Sequence, residues 1–299
     1  MISLLERLAA GEVLISDGAM GTLLQAKGMS PEECPESWCI SHPDVVRGIA
    51  EAYFAAGADI VETNSFGGSA LKLQYFGLQD KVRQFNRAAA ALAKEAAGER
   101  GYVAASVGPT GEILSAKGKD AAGDQLYAVF KEQVEALAEG GADAVCVETM
   151  SSLTEATQAI KAVKENTKLP VICTFTFEAK PRGFFTMMGV RPDQAAKGAL
   201  AAGADIVGAN CGNGIADMIE ITRQMRGVVP KTPILIHANA GIPELEGGRT
   251  VFKETPEYMA SRVRELIAEG ANIIGGCCGT TPEHIAAIAK AARTLAAKQ

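Results

Sequence analysis

Along this chain, short runs of aliphatic and β-branched residues alternate with longer stretches in which apolar positions return every three or four residues. The first pattern belongs to strands buried on both faces, the second to helices with one buried face. Eight strands are predicted, at 13–17, 60–63, 102–107, 144–148, 171–175, 206–209, 234–238 and 273–276. Helices are predicted between and after them, at about 43–57, 80–98, 124–140, 154–167, 192–203, 214–227, 256–270 and 282–297. In the seventh of these, Met259, Val263, Leu266 and Ile267 share one face.

The ends of the helices carry their own signals. Thr255-Pro256 and Thr281-Pro282 read as an N-cap followed by proline at the first helical position. A recurring Gly-Ala-Asp or Gly-Ala-Asn step, at 57–59, 141–143, 203–205 and 270–272, stops a helix just before a strand. Eight such βα units in 299 residues, with no linker-like stretch, predict a single (β/α)8 barrel of the TIM type over residues 1–299. No GxGxxG turn follows the first strand, which disfavours an open dinucleotide-binding sheet. The first dozen residues are expected to add an N-terminal helix that plugs the N-terminal face of the barrel.

Composition narrows the partners. A formal charge of -6 and a pI near 5.3, with no Lys/Arg-rich stripe, exclude a nucleic-acid footprint and favour small molecules or proteins. No apolar run is long enough to span a membrane, and the opening residues lack the apolar core of a signal peptide, so a cytoplasmic protein is expected. The seven cysteines are odd in number and irregularly spaced, which does not fit a disulfide framework. As thiols, any that cluster point to metal binding or catalysis.

Barrel enzymes place their chemistry at the C-terminal ends of the strands. In chain order those ends read DGAMGT (17–22), ETNSF (62–66), SVGPTG (106–111), ETM (148–150), TFTFE (174–178), GANCGNG (208–214), HANAG (237–241) and GGCCGT (275–280). Cys211 ends strand six, and Cys277 and Cys278 end strand eight. Alternate strands contribute to one layer of a barrel, so these thiols can converge across strand seven, provided the chain bends at Cys277-Cys278, as the flanking glycines permit. A Cys-Cys pair alone could equally be two small buried hydrophobes. Cys211 in the same layer favours a metal, and three thiolates favour zinc, with a fourth position open to substrate. Cys34, Cys39, Cys146 and Cys173 are read as structural, and His237 as a loop-packing residue. No strand carries a lysine near its C-terminal end, against a Schiff-base aldolase. A non-catalytic zinc or thiol-binding module stays open as an alternative.

Taken together, DGAMGT, ETNSF, the GxNC of Gly208 to Cys211, the NAG of Asn239 to Gly241 and GGCCGTTP resemble the homocysteine S-methyltransferase family over the whole chain. The similarity is greatest to the homocysteine-binding barrel of cobalamin-dependent methionine synthases. The resemblance implies that Cys211, Cys277 and Cys278 hold a catalytic zinc whose fourth ligand is the homocysteine sulfur. It implies that Asp17 and Glu148 hold the substrate ammonium, that backbone amides around Ala19 and Met20 take its carboxylate, and that Asn64 and Asn239 are loop-ordering or substrate-side groups. The 299 residues hold one barrel and no D-x-H-x-x-G cobalamin motif. The methyl donor is therefore expected to be a separate corrinoid protein, as in a split methionine synthase, with a small donor such as S-methylmethionine or betaine as the alternative.

Overall fold

The structure is a computed structural model, and it describes residues 2–99, 101–111, 119–247 and 249–297. Eight parallel strands form one sheet: β1 (Leu14–Ile15), β2 (Ile60–Glu62), β3 (Tyr102–Val107), β4 (Ala144–Met150), β5 (Val171–Phe175), β6 (Ile206–Asn210), β7 (Ile234–Ala238) and β8 (Ile273–Gly276). Neighbours in sequence are neighbours in space, and β1 pairs with β8, Leu14 opposite Ile273. A single bridge from Ser16 to Ile60 joins β1 to β2, so the sheet closes on itself as a (β/α)8 barrel. Outside it lie α1 (Pro43–Ala56), α2 (Val82–Ala97), α3 (Lys119–Glu139), α4 (Leu153–Asn166), α5 (Pro192–Ala202), α6 (Ile215–Arg226), α7 (Pro256–Ala268) and α8 (Pro282–Ala296). The main apolar core lies between strands and helices, where residues such as Val103, Val145, Ile160, Met218 and Ile285 are fully buried. None of the helices, among the described residues, is long and apolar enough to cross a membrane.

The expected N-terminal helix is present as Leu4–Ala9, started by a reciprocal Ser3/Glu6 capping box. Its Leu4 and Leu8 pack with Leu14, Ile60, Tyr102, Ile172, Ile206 and Ile273, which closes the N-terminal end of the barrel interior. Removing either leucine from water contributes roughly 1.5–3 kcal/mol.

The Gly-Ala-Asp/Asn steps form one device used four times. Gly57, Gly141, Gly203 and Gly270 all take φ between 98° and 106°, a left-handed conformation that ends the helix at little cost to glycine alone. Two residues later, the side chain accepts the N–H of a residue at the start of the preceding strand: Asp59 from Ile15 (2.9 Å), Asp143 from Val103 (2.9 Å), Asp205 from Val171 (2.8 Å) and Asn272 from Ile234 (3.0 Å). Each also meets a cation, respectively Arg7 (3.1 Å), Lys94 (2.7 Å), Lys164 (2.9 Å) and Arg226 (2.9 Å). An even-numbered strand is thus tied to the odd one before it at every joint.

The βα loops hold elements that periodicity does not announce. Short helices Gly21–Ala26, Trp38–Ser41 and Ala70–Leu73 follow β1 and β2. Two small antiparallel hairpins, Glu178–Lys180 with Gly183–Phe185 and Glu244–Glu246 with Arg249–Val251, follow β5 and β7. These segments build the rim of the C-terminal mouth.

Candidate active site at the barrel mouth

β8 stops at Gly276, and the chain turns at once: the N–H and hydroxyl of Thr280 both donate to the Cys277 carbonyl (3.1 and 2.7 Å). Cys277 N–H donates to Ala238 (2.8 Å), and the Cys278 carbonyl accepts from Ala240 (3.0 Å), so the loop after β7 holds both cysteines. The turn needs Gly279, whose φ is 80° and where a Cβ would stand 2.2 Å from the Phe252 ring. On the other side, β6 ends at Asn210, and Cys211 takes a left-handed φ of 59° with its N–H on the His237 carbonyl (3.1 Å). The bend expected from sequence is thus present, and the three sulfurs lie within 4.8 Å of one another.

Cys211 Sγ and Cys278 Sγ are 3.8 Å apart. Thiolates at about 2.3 Å around a tetrahedral zinc stand about 3.8 Å from each other, so the spacing suits that ion. All three side chains are half-buried. Without a cation, the sulfurs share charge. Thiol hydrogen bonds from Cys277 and Cys278 pull Cys211 down to about 3, while that same contact pushes Cys277 well up and Cys278 to about 11. Loading such a site with metal displaces the remaining protons. No fourth Cys, His, Asp or Glu completes the group among the described residues.

Across the same cavity, of about 270 Å³, lie carboxyl groups. Asp17 and Glu148 are buried, and Glu62 is nearly so. Asp17 Oδ2 accepts the Glu62 N–H (2.7 Å) and Oδ1 the Ser16 hydroxyl (3.2 Å). Burial nevertheless raises Asp17 to about 7, with nearby Glu148 adding to the rise. Burial also raises Glu148, opposed by donors from Ser106, Thr149 (3.1 Å) and Asn210 (2.9 Å). Glu62 is pushed well up by burial and by the other two carboxyls, and its Oε1 has no partner among the described residues. His237 Nδ1 is 3.9 Å from Glu62 Oε2, but burial lowers that imidazole to about 4, so it stands there neutral. Glu62 and Glu148 line the cavity and Asp17 stands behind its lining residue Gly18, with no charged cation paired to the three among the described residues, an arrangement that suits a ligand ammonium.

The DG turn is pinned from behind. A Cβ at Gly18 would meet Thr280 Oγ1 at 2.6 Å and Tyr53 Oη at 2.9 Å, and Tyr53 donates to the Ala19 carbonyl (2.8 Å). The Ala19 N–H is already given to Thr280 Oγ1 (3.1 Å). The helix Gly21–Ala26 has no side-chain cap at Met20, and Met20, Gly21 and Thr22 line the cavity, so the open N–H groups begin at Met20. Asn64 lines the cavity too, yet its Nδ2 donates to the Pro35 carbonyl (2.7 Å), which orders the loop after β2. Asn239 is buried with Oδ1 unpartnered among the described residues, and its side chain stabilises the Cys211 thiolate.

Glu62, Ser106, Thr149 and Asn210 were not singled out from sequence. Glu62 stood in the ETNSF run, and Asn210 directly precedes a metal-type cysteine; those positions were the available signals. Thr149 could not be read, because it depends on a bulge. Between Val147 and Met150, β4 carries one residue more than β5, and Thr149 takes φ 56°, a strain on the order of 1–3 kcal/mol for a β-branched residue.

A sequence model of the family described as homocysteine S-methyltransferase matches residues 14–292. Methionine synthase of Mycobacterium tuberculosis is 32% identical over 95% of this chain, and that of Mycobacterium leprae 32% identical over 96%. The chain spans about a quarter (25%) of the length of these curated relatives. The metallated form of the homocysteine methyltransferase MmuM from Escherichia coli superposes with a TM-score of 0.78 at 22% identity, covering 95% of this chain and 98% of that one. At that identity the likeness establishes the shared barrel.

Proposed function

The chain belongs to the homocysteine S-methyltransferase family, and on that premise we propose that it methylates the sulfur of homocysteine to give methionine, with zinc held by Cys211, Cys277 and Cys278. One observation carries this reading: three convergent thiols and the acids Glu62 and Glu148, with no charged cation paired to either among the described residues, share one cavity of about 270 Å³, a size suited to a small amino acid. Asp17 and Glu148 receive the substrate ammonium, and Glu148 is kept ready for it by its three donors. N–H groups from Met20 onward take the carboxylate, which leaves the substrate sulfur directed at the cysteine corner. Zinc there would lower the pKa of the substrate thiol, ordinarily about 8.5, and so supply the thiolate at neutral pH. Methyl transfer is then an in-line displacement: the new S–C bond forms as the donor–carbon bond breaks and leaves its electron pair on the donor. The methyl needs no general base, consistent with a site whose nearby histidine, His237, is buried and neutral. A fourth position that no Cys, His, Asp or Glu fills among the described residues favours catalysis over a closed structural zinc site.

We take the donor to be a corrinoid protein. The rim of the mouth supports this, because Phe66, Phe76, Met187, Met188, Ile242 and Leu245 are exposed on the loops after β2, β5 and β7 and offer apolar surface to a macromolecular partner. The test uses zinc-loaded protein with methylcobalamin or a methylated corrinoid protein. Demethylation that requires homocysteine, and no turnover of betaine or S-methylmethionine, is expected. Turnover of a small donor alone would overturn the corrinoid assignment. Full zinc with no transfer from any donor would leave a zinc- or thiol-binding module instead.

A further inference from the structure

Among the described residues, two non-glycine residues take positive φ, Thr149 at 56° and Cys211 at 59°. Asn210 connects them. It precedes Cys211 in the chain, and its side chain reaches past the neighbouring β5 to the β4 bulge. Asn210 Oδ1 accepts the Thr149 N–H (2.8 Å) and the Thr174 hydroxyl (2.7 Å), while Nδ2 donates to Glu148 Oε2 (2.9 Å) and Thr149 Oγ1 (2.6 Å). All four hydrogen-bonding capacities of the amide are used, on a side chain that is 1% exposed. Its orientation is not interchangeable. The Thr149 N–H can only donate, so the oxygen must face it, and the NH₂ group is left pointing at the carboxylate.

The bulge explains why such a group is needed. An inserted residue re-aims a strand's side chains, and here it directs Glu148 into the mouth at the cost of a left-handed threonine. Asn210 satisfies the N–H and the hydroxyl oxygen of that threonine and one oxygen of the glutamate together. Its own backbone leads directly into a cysteine of the thiol cluster, so the thiol corner and the acid corner are held at a fixed separation by one side chain.

We infer that Asn210 is a positioning residue for amino-acid recognition, fixing Glu148 relative to the cysteine cluster so that a substrate's ammonium and sulfur are accepted together. The inference rests on the proposed role of Glu148 as an ammonium acceptor. It is tested on zinc-loaded protein with two thiols: homocysteine, and 4-mercaptobutyrate, which keeps the thiol and carboxylate and lacks the amine. Asn210→Ser should retain zinc and raise the KM and Kd for homocysteine about tenfold, with kcat falling less, while binding of 4-mercaptobutyrate changes far less. Asn210→Asp keeps the shape but sets an acceptor against Glu148, and should weaken homocysteine more than Asn210→Ser does. If the serine variant fails to fold, the aspartate variant carries the same comparison. In a Glu148→Gln background, Asn210→Ser should add little. Equal losses for both thiols would reveal a merely structural residue and overturn the inference, as would unchanged homocysteine binding in Asn210 variants when Glu148→Gln weakens it. No effect of Glu148→Gln itself would overturn the role of Glu148, and the inference with it.

Discussion

Asp143 and Glu148 lie at opposite ends of the same strand unit, and their surroundings are opposite too. Asp143 accepts the Val103 N–H and is paired with Lys94 at 2.7 Å, as Asp59 and Asp205 are paired with Arg7 and Lys164. Glu148 faces Asp17 and Glu62, and among the described residues the basic side chain that comes within 4 Å of this trio is the neutral imidazole of His237. Acids at the N-terminal face have their charge and hydrogen bonds satisfied by the chain itself, so they stabilise the fold. Those at the mouth are held at a cost that a ligand cation can offset.

The largest effect should come from the thiols beside those mouth acids. Changing Cys211, Cys277 or Cys278 to Ala is expected to take bound zinc from about one per chain to near zero, and transfer down on the order of a thousandfold or more. Metal analysis beside a methyl-transfer assay checks it, and full zinc in all three variants would remove the site.

Next come the acids. Glu148→Gln and Asp17→Asn should keep zinc and weaken homocysteine about 10- to 100-fold, the worth of a charge-assisted hydrogen bond. In calorimetry, unchanged affinity for both would place the ammonium elsewhere. Asp17→Asn also tests the contrast by sign: it should stabilise the ligand-free fold, because the buried carboxylate is penalised, whereas Asp143→Asn should destabilise it. Destabilisation of equal size by both would erase the difference between the two ends.

Acidity gives a smaller and graded effect. Asp17 is raised from 3.8 to about 7, so its contribution to folding is full below about pH 4 and is lost as pH climbs through about 7. Ligand binding runs the other way. As pH falls below 7 the carboxylate takes a proton, and affinity for homocysteine relative to 4-mercaptobutyrate should drop by at most about tenfold per pH unit. A flat ratio between pH 6 and 8 would show that Asp17 does not meet the amine.

The smallest change is expected at the joints. Asp143→Asn should lower stability by about 1 kcal/mol in urea titration and leave homocysteine affinity unaltered.

Most of this architecture was legible because its causes are local. The Gly-Ala-Asp steps, the prolines at 256 and 282 and the apolar periodicities place all eight strands within two residues of their observed ends. β1 is shortened at both ends: predicted at 13–17, it is Leu14–Ile15, because beyond it the ladder gives way to an isolated bridge at Ser16 and to the Asp17 side chain. The cysteines could be read because residue type, motif and layer agreed. Glu62 and Asn210 could not, since their roles depend on which way a short strand end faces and on a bulge in another strand. The hairpins after β5 and β7 carry too few residues to show a period.

Asp17 occupies a second place in the molecule. The barrel is a hoop, and at the β1–β2 seam its circumference is completed by one bridge, by the Asp59 N–H on the Ile15 carbonyl, and by two carboxylate-to-amide links, Asp59 to Ile15 and Asp17 to Glu62. One clasp of the hoop therefore stands next to Gly18, a lining residue of the mouth. On the ammonium role proposed for Asp17, a ligand that holds it ionised would strengthen its grip on the Glu62 amide, and a proton on Asp17 would loosen it. The rate at which that amide hydrogen trades with solvent becomes a gauge of whether the mouth is filled, written into the backbone at the point where the barrel is joined.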